Sequence, residues 1–159
     1  MSDSLPPTMT VAFHLAHPEH LTELVAMMKE LQADDPWSCR FDERLASNAM
    51  DELLRNPSLG RVWTIADSRT DDSRTIGYIV MAFDYSLEYR GKGAWVDEFF
   101  VRPTHRGQGI GARALEFFAE QARQLGATVV HLEVNHGNPA IELYRRMGFE
   151  DHHRYLSKP

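Results

Sequence analysis

Cysteine is almost missing from this chain: Cys39 is the only one in 159 residues, so no internal disulfide can form. A chain without that staple reads as one that folds in a reducing compartment, the cytoplasm. Long hydrophobic runs are missing too. No apolar stretch approaches the roughly 20 residues that a spanning helix needs, and the opening "MSDSLPPTMT" has neither the basic nor the apolar segment of a signal peptide. Positive charge is in deficit, and a formal net charge of −6 argues against a protein that grips nucleic acid by its phosphates. Repeats and low-complexity tracts are absent as well. Only Met1–Pro7 reads as a disordered tail, which leaves residues 8–159 as one domain.

What remains suits a compact α/β or α+β domain, with 43% hydrophobic and 25% charged residues. A chain of this size buries well over half of its unfolded surface and needs no metal or disulfide to hold it. The charge is unevenly spread. Residues 1–100 carry a net −8 and residues 101–159 a net +2, a division that suits a cationic substrate on one side and an anionic cofactor on the other.

The hydrophobic periodicity predicts the order β-α-α-β-β-β-α-β-α-β. "MTVAFHLA" is a first strand, and Pro18 opens a helix whose Leu21, Leu24, Val25, Met28 and Leu31 share one face. "FDERLASNAMDELLRN" is a second helix with Phe41, Leu45, Ala49 and Leu53 as its inner stripe. "GRVWTIAD" and "TIGYIVMAFDY" form a hairpin, and "AWVDEFFVRP" is a fourth strand after the loop "SLEYRGKG". A long helix from Gly111 to Leu125 buries Leu115, Phe118, Ala122 and Leu125, and Gly126 stops it. "TVVHLEV" is a fifth strand. "NPAIELYRRM" is a short helix with Asn138 as cap, Pro139 in its first turn and Gly148 at its end, and "GFEDHHRYLS" is a last strand. A helix joins the fourth and fifth strands, so they should run parallel.

Between them lies "VRPTHRGQGIGARALEFFAEQA" (Val101–Ala122), where a glycine-dense turn runs into a helix N-terminus. Gly107, Gly109 and Ala112 satisfy the dinucleotide pattern G-x-G-x-x-G/A, with Glu133 near the expected ribose contact. That pattern wants a strand leading straight into its first glycine and several β-α-β units after it. Here "RPTHR" intervenes and one unit follows. A P-loop fails because no Lys-Ser/Thr follows the glycines. Two readings remain: a plain glycine-rich connector without a ligand, or a run of backbone amides, Arg106-Gly107-Gln108-Gly109-Ile110-Gly111, that lacks Cβ atoms where a pyrophosphate would approach. The helix dipole and the Arg106 guanidinium would favour that anion.

Chemistry-bearing side chains stand nearby. Adjacent Asp97 and Glu98 interrupt the apolar strand "WVDEFFV" and, by strand alternation, project to opposite faces. Either is a candidate general base or an edge charge. Tyr144 is a phenol able to donate a proton, or a core tyrosine on an amphipathic helix. The histidines suggest no metal. His14, His17 and His20 are split by Pro18, His152 and His153 point apart, and His131 with Glu133 lacks a third partner.

"VRPTHRGQGIGARAL" resembles the pyrophosphate-binding motif of the GNAT superfamily of N-acetyltransferases, with Arg106, Gly109 and Gly111 at the signature positions. "NPAIELYRRMGF" resembles that family's next motif through Ala140, Leu143, Tyr144, Gly148 and Phe149. The family often has Asn three residues before that alanine, where this chain has Gly137 and then Asn138. "WVDEFFV" is similar to the fourth strand of the spermidine/spermine N-acetyltransferase branch. The resemblance implies a GNAT-like fold whose parallel fourth and fifth strands splay around acetyl-CoA. It implies cofactor contacts from Phe99, Phe100, Val101, Arg106, Gly107, Gln108, Gly109, Ile110, Gly111, Ala112, Asn138, Ala140 and Tyr144. It makes Tyr144 the acid, Asp97 the first-choice base acting through water, Glu98 the second, and backbone N–H groups near Phe100 and Val101 the oxyanion donors. The implied reaction is direct acetyl transfer to a primary amine of a small, cationic molecule such as a polyamine or aminoglycoside. Acetylation of a protein amine and a silent acyl-CoA-binding module are the alternatives. Family members often pair as homodimers, and neither nucleic acid nor membrane is expected as a partner.

Overall fold

The structure, a computed structural model, describes residues 10–34, 40–68 and 74–152. Five strands form one sheet in the order β1-β2-β3-β4-β5: β1 Val11–Leu15, β2 Gly60–Asp67, β3 Thr75–Ser86, β4 Gly91–Val101 and β5 Ala127–Leu132. The first four pair antiparallel and β5 joins β4 in parallel. The described residues also form four α-helices: α1 Leu21–Asp34, α2 Glu43–Arg55, α3 Ile110–Gln124 and α4 Ile141–Arg146. None of the described helices is long and apolar enough to cross a membrane.

Strand alternation sorts the core onto the two faces of the sheet. On one face α3 packs Ile110, Ala114, Leu115, Phe118 and Ala122 against Trp63, Ile65, Ile79, Met81, Ala94 and Val96. Phe117 of α3 stacks on Phe13 at 4.3 Å and meets Trp63 edge-on at 5.4 Å. On the other face α1 and α2 set Leu24, Val25, Met27, Met28 and Met50 against Val62, Tyr78, Val80 and Phe100.

Several expectations shift. Pro18–His20 forms a 3-10 turn before α1 begins at Leu21. In α2 the inner stripe is Ala46, Met50, Leu53 and Leu54, while Leu45 and Ala49 are exposed. Both stripes have helical spacing, and only the direction from which the core approaches chooses between them. β4 starts at Gly91, three residues before Ala94, because its pairing with β3 runs out to Ser86↔Gly91. α3 closes as read from sequence, on Gly126 with φ +83. α4 is shorter than the helix expected from Asn138, since residues 139–140 form a turn. The expected last strand is irregular over residues 149–152, and its remainder, like the expected tail Met1–Pro7 and Cys39, lies outside the described residues.

Candidate active site

β4 follows β3 along its whole length, as far as Gly77↔Val101, but follows β5 only as far as Val96↔Leu132. From Asp97 to Val101 the edge once shared with β5 therefore has no strand beside it among the described residues. Phe99 and Val101 are half-buried on the α3 side, and Phe100 is buried on the α1 side. The opening this parting leaves is bordered by α4. A Cβ placed on Gly111 would lie 2.7 Å from Leu143 Cδ2 and 3.8 Å from Phe99 Cε1. The start of α3, the end of β4 and α4 thus converge, which joins both sequence motifs to the carboxylate-bearing strand. A side chain at Gly111 would crowd Leu143 of α4, a packing consequence that stands beside the phosphate-binding expectation.

The bend before α3 has a different reason for its glycines. Gly107 and Gly109 hold φ +74 and +77, left-handed values that glycine takes without strain. A Cβ on either would meet nothing within 4 Å, so both border open space. Residues 106–109 are exposed, while Ile110 is buried and pins the helix start to the core. The first helical bond runs from Arg113 N–H to the Gly109 carbonyl at 3.3 Å, which leaves the amides of Ile110, Gly111 and Ala112 with no carbonyl one turn back. A 15-residue helix then places the positive end of its dipole at that point. These features fit a diphosphate such as that of acetyl-CoA. Arg106 is differently occupied from what sequence suggested. Its Nε donates to the Val101 carbonyl at 2.7 Å, its Nη2 donates to Asp34 Oδ2 at 2.6 Å, and the guanidinium lies 5.6 Å over the Phe100 ring. It ties the bend to the end of α1, and Asp34 offsets part of its charge.

Asp97 and Glu98 do not obey the simple alternation. Val80 pairs with Glu98 and Met81 with Val96, so Asp97 is the extra residue of a β-bulge. Glu98 therefore shares the face of Val80, under α1, and Val96 and Phe99 both point to α3. The bulge breaks strict alternation here, and the Asp97 charge raises the pKa of both Glu98 and Tyr78. Burial is the largest influence on Glu98 and, with Asp97, lifts it to about 7 against a hydrogen bond from Tyr78. That bond, Tyr78 Oη to Glu98 Oε2, is 2.7 Å long. Asp97 is exposed, yet enough protein surrounds its carboxylate to raise its pKa as well.

Tyr144 sits half-buried on α4 against the α3-side core, its ring edge-on to Phe149 at 6.1 Å. Asn138 Oδ1 accepts from the Ala140 amide at 2.9 Å, which holds the turn that starts α4.

Sequence reading missed a group on the Glu98 face. Ala82 pairs with Trp95, Asp84 with Gly93, and Trp95 with His131. The Trp95 indole N–H donates to Asp84 Oδ2 at 3.0 Å, and Asp84 lies over Gly93 where a Cβ would be 2.0 Å away. His131 packs 4.7 Å from Trp95 and 5.0 Å from Tyr89. Sequence showed these residues singly, and the hairpin register that aligns them was the only available signal.

The profile of the Acetyltransferase (GNAT) family matches residues 24–149. The chain belongs to that family. This GNAT chain is 34% identical over 77 residues to thialysine N-epsilon-acetyltransferase of Bos taurus, covering 48% of the chain and 45% of that protein. It is 32% identical over 133 residues to streptothricin acetyltransferase of Streptomyces lavendulae, covering 77% and 61%. The chain thus spans about half the length of the bovine relative it matches. Among solved structures, an integron cassette protein from the mobile metagenome of Cole Harbour Salt Marsh superposes with a TM-score of 0.78 at 33% identity, over 92% of the chain and 88% of that chain. A predicted acetyltransferase from Clostridium acetobutylicum with acetyl-CoA superposes at 0.77 and 19% identity, over 94% and 96%, and shows the shared fold. The acyl donor of GNAT acetyltransferases is acetyl-CoA.

Proposed function

We propose that this GNAT chain transfers an acetyl group from acetyl-CoA to a primary amine of a small cationic molecule, by direct attack with both molecules bound. The observation that carries this reading is the parting of β4 from β5 beside the glycine bend, with Glu98 on the adjoining strand edge. Gly107, Gly109 and the first amides of α3 would hold the diphosphate, with Arg106 contributing charge if it exchanges Asp34 for phosphate. When bound, acetyl-CoA supplies an acetyl thioester, whose carbonyl carbon gains a C–N bond as its C–S bond breaks.

Glu98 is the proposed base. It takes one proton from the acceptor ammonium, and a carboxylate that titrates near neutrality suits that task. Asp97, the first choice by resemblance, becomes the neighbour whose charge tunes it. Tyr144 is the proposed acid for the departing sulfur, and the amides of Phe100 and Val101 are the proposed donors to the carbonyl oxygen. The acceptor would lie along the face that carries Asp84, Trp95 and His131. Trp95 is two steps of β3 from Glu98, since Ala82 and Val80 are their partners, which is roughly 7 Å. A carboxylate and aromatic rings suit an ammonium-bearing molecule. Names among the relatives, thialysine and streptothricin acetyltransferases, point the same way, and the similarity of "WVDEFFV" adds polyamines to the class.

Thiol release from acetyl-CoA across a panel of amines tests this. Amine-dependent release is expected, fastest with cationic acceptors. Binding of acetyl-CoA with no amine-dependent release would overturn catalysis, and equal rates with neutral and cationic amines would overturn the acceptor class.

A further inference from the structure

Tyr78 is the most thoroughly enclosed tyrosine among the described residues, with 0% of its surface exposed, yet it ends in a hydroxyl. It lies in the core cluster with Leu24, Met27, Met28 and Phe100, and its ring stands 6.2 Å from that of Phe100. Phenylalanine would fill the same space without the hydroxyl, which costs about 1–3 kcal/mol when buried unpartnered. The hydroxyl does have a partner, and it is the carboxylate at the strand parting: Oη donates to Glu98 Oε2 at 2.7 Å. Glu98 Oε1 accepts no bond among the described residues. One carboxylate oxygen is held and the other is left open.

We propose that Tyr78 is a positioning residue for the reaction: its buried hydroxyl clamps Glu98 Oε2 so that Oε1 is the oxygen that meets the acceptor amine. The proposal rests on the acetyltransferase reading of the site. The ladder makes the clamp rigid. Tyr78 faces Phe100 on β4, and β2 supports it from the other side through Thr64. The bulge at Asp97 brings Glu98 onto the Tyr78 face, since unbroken alternation from Val96 would have reversed Phe99 and Phe100. Tyrosine, bulge and glutamate therefore form one device.

The charged and titratable surroundings are few. Asp97 acts on Glu98 as a like charge, and Tyr78 acts through the hydrogen bond. From α1 and α2 the cluster receives Leu24, Met27, Met28 and Met50, which do not titrate. Arg106 lies over Phe100 but is bonded to Asp34. Opposite signs follow. Removing the hydroxyl withdraws a donor from the carboxylate, so Glu98 should hold its proton to higher pH. Removing the Asp97 charge should let Glu98 ionise at lower pH.

The experiment is the pH profile of kcat/KM, with whichever amine gives the fastest thiol release, for wild type, Tyr78→Phe and Asp97→Asn. The titration of Glu98 is followed alongside by carbon NMR in the protein without acceptor, with Glu98→Gln to assign the signal. The expected result is an acidic limb that moves up by about one unit in Tyr78→Phe, about tenfold in rate on that limb, and down in Asp97→Asn. The carbon titration should move in parallel. Incorporating 3-fluorotyrosine, a stronger donor, keeps the packing and should move the Glu98 titration down, which covers a Tyr78→Phe chain that fails to fold. Limbs and titrations that stay put in Tyr78→Phe or in the fluorinated protein would overturn the proposal. A protein that releases no thiol with any amine would refute the enzymatic reading, while the carbon titration would still decide whether Tyr78 clamps Glu98.

Discussion

At the residue scale, burial and a neighbouring charge push Glu98 toward its neutral form, and only the Tyr78 hydroxyl holds it back. Its folded pKa of about 7 lies above the ordinary glutamate value of 4.5, so the folded chain binds a proton that the unfolded chain has released. Stability from this group is present in full below about pH 4.5 and is lost as pH rises through about 7. Glu98→Gln should therefore raise Tm at pH 8 and leave it nearly unchanged at pH 4, by an amount on the order of 2–3 kcal/mol of unfolding free energy. The same variant should abolish most turnover. A pH 8 melt no higher than wild type would show that Glu98 is not strained by ionisation. Tyr144→Phe separates from this. It should cut kcat by tenfold or more, within the usual span of general-acid losses, while the KM for acetyl-CoA stays put, which steady-state kinetics at saturating amine can check.

At the scale of elements, the connection from β4 to α3 is fastened to α1 by paired clasps. Arg102 Nη1 donates to Glu30 Oε1 at 2.7 Å and Arg106 Nη2 to Asp34 Oδ2 at 2.6 Å. The two acids are one helical turn apart on α1. Exposed ion pairs of this kind add little stability, so Asp34→Asn should shift Tm only slightly. It should free the Arg106 charge for phosphate and tighten acetyl-CoA binding several-fold, measurable by calorimetry at low salt. Unchanged affinity would mean that Arg106 serves only as a strut. The bend makes a second prediction. Gly109 holds φ +77 in open space, so Gly109→Ala meets no neighbour but strains the backbone by about 1 kcal/mol. It should weaken acetyl-CoA by tenfold or more through displaced amides while the fold survives, which CoA titration beside a thermal melt can read. Glycine spacing made the bend legible in the sequence, because glycine takes those left-handed dihedral angles without strain. The α2 stripe was not legible in the same way, since Leu45 and Met50 both fit a helical period.

At the scale of the molecule, charge is divided along the chain, net −8 before residue 101 and +2 after it. Strand pairing brings two of the acidic residues before position 101 together. Asp84 and Glu98 share a sheet face through the pairs Asp84↔Gly93 and Val80↔Glu98. A field of that kind steers cations and is screened over a Debye length of about 10 Å at 0.1 M salt. For a cationic acceptor, kcat/KM should fall as salt rises from 0.02 to about 0.5 M, while a neutral amine should show a flat response. Parallel curves would place the acidic excess elsewhere.

By itself the sequence determined most of the elements, the glycine bend and the motifs, because these depend on local rules: helical and strand periods, left-handed glycines, and residues a few positions apart. Tertiary structure alone decided which carboxylate is sheltered, what Arg106 touches, and that Gly111 makes room for Leu143. Those facts follow from strand register and helix docking. The bulge at Asp97 shows the reason most directly: one unpaired residue reverses which side chains face α1, and nothing in "WVDEFFV" marks where that residue falls.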